Sequence, residues 1–427
     1  MATYLYKVLG TPTGTTKNTL SVWFKRSKLT SSQGLVFANG NAGGITLNSD
    51  DKLQLYNAGG ALKPNRLFRD TSAWYHIVVA TDTTLGTADD RLKMYINGVQ
   101  QTSFATRTNP SQNATSNLGT ATEHIIGCNN DPANYFEGLM SHVQMVDGLA
   151  LAPTEFGSTD ATTGEWKISP ATYSPLGNNG FHLTFENASD LGASTNSNNF
   201  TANANGRQTK DNPSNNFATM NPLIPGQTNF TYSNGNTTIT QGSSAWVKSN
   251  STLGMSSGKY YWEAKYVSGL YTVVGVDKTD TATPYPSTSS SAVGWKRNGN
   301  VEVGTTPQTD IASYAHGDIV SVALDMDNAC VYFGKGGVWQ NSGDPTSGAS
   351  KTGAYSLPSY VANTPYFATV SPYSSGATSM NFGNGYFGTT AVATNSGNGY
   401  AGTDGKSIFN YQPPTGYTAL STKGLNL

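Results

Sequence analysis

Apolar residues in this chain recur at every second position in short runs, and Gly, Asn, Asp or Pro stops each run within about four to eight residues. Over the first 190 residues the runs are Thr19 to Phe24, Leu35 to Ala38, Ile45 to Leu47, Lys52 to Leu55, Trp74 to Ala80, Arg91 to Ile96 and His124 to Gly127. Segments this short and this regularly punctuated cannot build long helices, and they predict an all-β sandwich. Composition agrees, because only 12% of the residues are charged while Gly alone occurs 47 times. Such a mixture disfavours helices and supplies turns.

The clearest local element is RLKMYINGVQQ, in which Leu92, Met94 and Ile96 share one face and Asn97-Gly98 predicts a type I′ hairpin turn. From Gly138 to Val146 the apolar residues Leu139, Met140, Val143, Met145 and Val146 predict a buried strand. Asp147-Gly148 ends it, and Pro153 opens a short helical turn over Ala152 to Phe156. The segment Gly180 to Phe185 is expected as the last strand of the first domain, paired near Tyr4 to Val8.

The 427 residues suffice for two domains. The boundaries expected are 1–190 for the first and 227–427 for the second, with 191–226 as an Asn/Ser/Gly-rich linker. Phe217, Met220, Leu223 and Ile224 are the linker residues expected to dock it. In the second domain Ile319 to Met326, a turn at Asp327-Asn328, and Val331 to Phe333 predict a central hairpin.

A formal net charge of −1 offers no electrostatic footprint for nucleic acid or an anionic membrane. The basic cluster Lys63, Arg66 and Arg69 is expected to be a solvated loop. No apolar run approaches the roughly 20 residues of a membrane span, and the first residues lack a secretory pattern, so synthesis in a cytosol is expected. Cys128 and Cys330 fall in different expected domains, as buried free thiols.

Enzyme chemistry finds few footholds. A retaining glucanase needs two carboxylates about 5–5.5 Å apart, commonly as E-x-D-x-x-E on one strand face, and Glu123, Glu137, Glu155, Glu165, Glu186, Glu263 and Glu302 show no such spacing. Asp325 and Asp327 stand two apart but at a turn. His76, His124, His142, His182 and His316 lack metal-ligand spacing, and no nucleophile elbow or phosphate-binding glycine loop is present. Sugar binding without catalysis needs an aromatic face flanked by hydrogen-bonding side chains. Tyr135 with Asn129, Asn130 and Asp131 is the first candidate, and Trp295 and Arg297, with Asn298, Tyr285 and Tyr373, is the second.

Several of these segments resemble known families. Phe136, Gly138, Met140 and Val143, followed by Asp147, Gly148, Leu149, Ala150, Pro153, Glu155 and Phe156, resemble the closing strand and turn of a laminin-G or concanavalin-A-like jelly roll. The extension to Trp166 is similar to a bacteriophage variant of it. Gly317 to Trp339 resembles the central hairpin of a SPRY domain, and Ser257 to Tyr266, Val273 to Val276, Ala292 to Trp295, Pro365 to Phe367 and Asn381 to Gly383 match flanking strands in order. Phe409 to Asn426, with Asn215 to Pro222, is similar to a tag on SPRY-containing phage proteins.

These resemblances imply two jelly-roll β-sandwiches, laminin-G/concanavalin-A-like then SPRY-like. They imply a non-catalytic phage virion protein, a tail fibre, spike, capsid fibre or decoration component, made in the host cytoplasm and located in the virion. Its expected partners are other virion proteins, a host-surface polysaccharide or receptor, and copies of itself, with a trimer as the first expectation and no nucleic acid or membrane insertion. Laminin-G domains also bind calcium through rim loops, which makes Ca²⁺ a candidate ligand of the loop Gly127 to Tyr135. The competing reading is a polysaccharide depolymerase with a site assembled between subunits.

Overall fold

The computed structural model describes residues 3–38, 40, 42–129, 133–169, 175–204, 206–227, 229–279, 289–392 and 399–426. The chain divides into two units, Met1–Gln208 and Thr209–Leu427. Residues 191–208 of the expected linker therefore sit in the first unit and 209–226 in the second. Both units are all-β, and none of the described helical segments exceeds a single 3-10 turn. No described helix is long and apolar enough to cross a membrane.

In the first unit an eight-stranded sheet runs Phe104–Thr108, Gly60–Pro64, Leu53–Asn57, Gly43–Leu47, Gln33–Ala38, Glu123–Ile126, Leu5–Val8, Thr201–Ala202. The second sheet runs Phe181–Leu183, Gly138–Asp147, Lys17–Arg26, Tyr75–Asp82, Leu92–Ile96, Val99–Gln100. Leu20, Val22, Phe24, Ile77, Val79, Met94 and Ile96 from this sheet meet Leu35, Ile45, Leu53 and Leu55 from the other in one core. Each such side chain contributes about 1.5–3 kcal/mol by leaving water. Asn97 and Gly98 both hold positive φ, 48° and 78°, as the type I′ turn requires.

One expected pairing is corrected. Phe181–Leu183 pairs with Gly138–Asp147, through Val143 opposite Leu183, and not with Leu5–Val8. Leu5–Val8 lies in the other sheet between Glu123–Ile126 and Thr201–Ala202. Phe181 and Leu183 face the core from one sheet and Leu5 faces it from the other, so each strand joins the sheet that buries its apolar side.

The strand Lys17–Arg26 is buried along both faces. Its outer face is covered by the segment beyond Asp147: the Thr19 hydroxyl donates to the Leu149 carbonyl and accepts the Leu151 N–H, both at 2.8 Å, and Phe156 packs with Leu176 and with Val78 and Val146 of the two flanking strands. Pro153–Glu155 forms the expected helical turn as 3-10. The Asp147 carboxylate accepts the backbone N–H of Thr13 at 2.6 Å and of Asn179 at 3.0 Å, tying three segments together.

The second unit has a sheet running Phe230–Ser233, Thr238–Gln241, Ala377–Asn381, Lys259–Ser268, Ile319–Asp325, Cys330–Lys335, Val338–Trp339. The other runs Ser249–Met255, Tyr366–Tyr373, Tyr271–Asp277, Val293–Lys296, Val301–Val303, Thr306–Pro307. Between them lie Trp262, Val274, Val293, Trp295, Val322, Phe333 and Val370. The central hairpin pairs Leu324 with Val331 as its apolar alternation predicts. Asp325 accepts the backbone and side-chain N–H groups of Asn328 at 2.9 Å each, and Asp327 accepts the Gly258 N–H at 2.8 Å. Asp325 thus closes its own turn and pairs with Lys259 at 3.1 Å, and Asp327 ties that turn to Gly258.

The outer face of the first of these sheets is covered in the same manner as in the first unit. Tyr261, Ala323, Cys330 and Tyr332 pack under Phe217, Phe409, Tyr417 and Ala419. The two covering segments bond each other: the Ala218 N–H donates to the Leu420 carbonyl at 2.9 Å and the Thr422 N–H to the Asn216 carbonyl at 2.9 Å. The C-terminal signature is thus an integral cover of this unit and not an appended tail. Phe217, Met220 and Ile224 are buried, while Leu223 is exposed. Cys128 and Cys330 are buried and free, one in each unit.

Candidate functional site

The first-unit candidate lies where Glu123–Ile126 leaves the sheet. Asn129 is half-buried. Its N–H donates to the Ala133 carbonyl at 3.2 Å and its Oδ1 accepts the Ala133 N–H at 3.1 Å. The side chain therefore closes its own loop. Asn130 and Asp131 lie outside the described residues, and the calcium expectation rests on them. Tyr135 is half-buried, and the structure adds two rings beside it, since its centroid is 6.3 Å from that of Tyr4, which is 6.0 Å from that of Tyr6. Tyr4 and Tyr6 flank the inward Leu5, so strand alternation turns both outward. That spacing was the available signal for them.

The second-unit candidates separate. Trp295 is fully buried between the sheets, its ring 4.9 Å from Tyr314 and 5.7 Å from Phe333. It is a core residue and cannot contact a surface ligand, which corrects the sequence expectation. The cause is alternation: Val293 and Trp295 point inward, so Lys296 points outward. Arg297 is half-buried at the strand end, and its guanidinium lies 5.3 Å from the Tyr271 ring and 5.9 Å from the Tyr266 ring. Asn298 is exposed and its Oδ1 accepts the Asn300 N–H. Tyr285 lies outside the described residues. Tyr373 is half-buried and stacks on Trp246, centroids 4.5 Å apart and planes at 22°.

A third cluster joins three histidines that are far apart in sequence. His76 sits between Trp23, stacked at 4.4 Å and 7°, and Trp166 at 6.0 Å. The Trp166 indole N–H donates to His76 Nδ1 at 2.9 Å, and His76 Nε2 is 2.8 Å from Ser21 Oγ. An indole nitrogen can only donate, so Nδ1 is the acceptor, Nε2 carries the proton, and Nε2 donates to the serine. A histidine in this tautomer cannot take a proton from Ser21, and the pair is not a nucleophile with its base. Burial, then the nearby His142, pushes His76 down to about 3.

His142 Nδ1 is 3.1 Å from His182 Nε2. His142 occupies a bulge in Gly138–Asp147 with φ of 46°, a conformation that costs a non-glycine residue roughly 1–2 kcal/mol. Burial lowers both histidines to about 4. Among the described residues no group of three or more His, Cys, Asp and Glu is placed to hold a metal ion.

The model of a laminin G family, described as the concanavalin A-like lectin/glucanases superfamily, matches residues 6–155. No curated protein sequence matches the chain. Among solved structures, the chain is similar to the SPRY domain of human HERC1, at 22% identity over 36% of this chain and 92% of that one, with a TM-score of 0.29. It is also similar to the TRIM65 PSpry domain, at 13% identity over 38% of this chain and 91% of that one, with a TM-score of 0.30. A third is a candidate carbohydrate binding protein from Bacteroides ovatus, at 15% identity over 48% of this chain and 58% of that one, with a TM-score of 0.32.

Proposed function

We propose that this chain is a bacteriophage virion protein of the fibre, spike or decoration type whose sandwiches bind host-surface glycan without cleaving it. One observation carries the adhesion part: on a sandwich whose sequence matches a lectin-type family, the half-buried rings of Tyr4, Tyr6 and Tyr135 form a row beside the Asn129 loop. Aromatic faces of this kind accept the apolar C–H side of a sugar ring, and neighbouring amides supply hydrogen bonds. The three phage-type sequence signatures supply the virion part. Contacts with other virion proteins and with copies of this chain belong to the same proposal.

The non-catalytic reading is supported by the histidine cluster. The one serine–histidine contact described above has its proton on the wrong nitrogen, and its histidine stays neutral throughout the physiological range. The signature residues Phe156, Phe217, Phe409 and Tyr417 are occupied as covers of sheet faces, so contact with a host is left to other surfaces.

Mass spectrometry of particles purified on a density gradient tests the virion part. Peptides of this chain are expected to co-purify with the particle at constant stoichiometry through repeated banding. Their loss into the soluble fraction would overturn it.

A further inference from the structure

The second unit carries a ring cluster outside its core. Tyr271 and Tyr373 begin and end neighbouring strands and stand directly opposite each other. Their centroids are 6.4 Å apart at 70°, and Trp246 lies 5.9 Å from Tyr271 while stacking on Tyr373. Trp246 is supported from beneath by Val273 and Ala292. All three rings are half-buried, so each is held in place and still presents surface. Ser374 and Ser375, the next two residues after Tyr373, both hold positive φ, 53° and 56°. Non-glycine residues reach that region at a cost, and here the tight turn fixes Tyr373 and sets the Ser374 hydroxyl 3.3 Å from that of Ser244.

Arg297 lies at the Tyr271 edge of this platform. Its backbone N–H donates to the Thr272 carbonyl at 3.1 Å, and its Nη1 donates to the Leu270 carbonyl at 2.7 Å. Among the described residues no carboxylate pairs with it and no partner takes its Nε and Nη2 hydrogens, whereas the neighbouring Lys296 is paired with Glu302 at 2.5 Å. A guanidinium held by one nitrogen and two aromatic faces keeps its charge and its Nε–Nη2 edge for an outside acceptor. That edge is the geometry that receives both oxygens of a carboxylate.

We infer that Trp246, Tyr271, Tyr373 and Arg297 form a subsite for one carboxylated sugar unit of an acidic polysaccharide. The C–H face of the pyranose packs on the ring surface left outside the Trp246–Tyr373 stack, the carboxylate takes the Nε–Nη2 edge of Arg297, and Ser244 and Ser374 face the ring hydroxyls. The inference rests on the glycan-adhesion reading and adds the ligand class and a second-unit site to it. A neutral sugar would use the rings and leave the cation unmet, so the subsite distinguishes acidic from neutral chains.

The test is calorimetric titration of the full chain with oligogalacturonate and with the same oligomer fully methyl-esterified. The acidic form is expected to bind at least tenfold more tightly, with affinity falling as salt rises. Arg297→Gln is expected to bring the two forms to equal, weak affinity and to remove the salt dependence. Arg297→Lys restores part of the preference, because it returns the charge without the paired hydrogens. Trp246→Ala is expected to weaken both forms at least tenfold with an unchanged circular dichroism spectrum.

Equal affinity of the wild-type chain for both forms, unchanged binding by either Arg297→Gln or Trp246→Ala, or no binding of either oligomer would overturn the subsite. Unchanged binding by both variants would leave glycan adhesion standing at another surface. The virion reading is judged separately by the particle measurement.

Discussion

Replacing Asp277 with alanine is expected to destabilise the second unit by about 3–5 kcal/mol, the cost of leaving a buried charge without its partner. Lys248 and Asp277 are both fully buried and pair directly. The Lys248 ammonium also donates to the Thr279 carbonyl at 3.0 Å. The Asp277 carboxylate accepts hydroxyls from Thr279 at 2.8 Å, Ser289 at 2.7 Å and Ser291 at 2.6 Å. Alanine would leave the ammonium without its counter-charge and the two serine hydroxyls without their carboxylate. The double change Asp277→Leu with Lys248→Met removes both charges and is expected to recover most of the loss. Denaturant unfolding measures it, and a loss below about 1 kcal/mol for Asp277→Ala would contradict this account of the unit's interior.

The second large effect is an opposite response of the two units to acid. In the first unit burial holds His76 at about 3 and His124, His142 and His182 at about 4, against an ordinary value of 6.5. A histidine depressed in the folded state takes up its proton first in the unfolded chain. The stability it confers is present above pH 6.5 and is lost as pH falls toward the folded value. His76 alone, buried without exposure, is expected to withdraw about 2 kcal/mol by pH 5.

In the second unit Glu263 is completely buried. Burial raises it to about 7, against the N–H groups of Asn410 and Tyr411, the Tyr261 hydroxyl and the Asn381 amide, which favour the ionised form. A carboxyl raised in the folded state ionises first in the unfolded chain. Stability is therefore highest below pH 4.5 and falls by about 3 kcal/mol as pH climbs to 7. Scanning calorimetry between pH 7 and pH 5 is expected to show the first unit's transition moving down and the second unit's moving up. Glu263→Gln should flatten the second trend while leaving the first. Two transitions moving together would contradict the assignment.

The legible parts of this fold were those governed by local alternation. Leu92, Met94 and Ile96 with Asn97-Gly98 specify a hairpin by themselves, because a half-buried strand and a positive-φ turn leave few alternatives, while the run from Ile319 to Phe333, buried on both faces, is marked by two apolar runs of strand length either side of Asp327-Asn328. The pairing of Phe181–Leu183 is not legible, because short apolar strands carry no mark of which sheet they join. The burial of Trp295 is hidden for a related reason: an aromatic near a loop looks the same in sequence whether its strand turns it inward or outward.

What alternation could not show was assembly across distance. His76, His142 and His182 lie on three strands of one sheet, with Lys17–Arg26 between those of His142 and His76, and their approach depends on register and on the bulge between Ser141 and Gln144. Trp246 sits in an irregular segment without periodicity, so its stacking on Tyr373 depends on the tertiary path of the chain. The segments around Phe217 and Tyr417 were recognisable as signatures, yet their mutual pairing as a cover over Tyr261 and Tyr332 arises only in the folded unit.

Adhesion without cleavage is read out by incubating the full chain with purified host-surface polysaccharide and measuring retained protein and reducing ends in the same samples. Saturable retention is expected, with a reducing-end count that stays at the level of polysaccharide alone. Reducing ends that rise in proportion to protein and time, or polysaccharide that retains none of the chain, would contradict it.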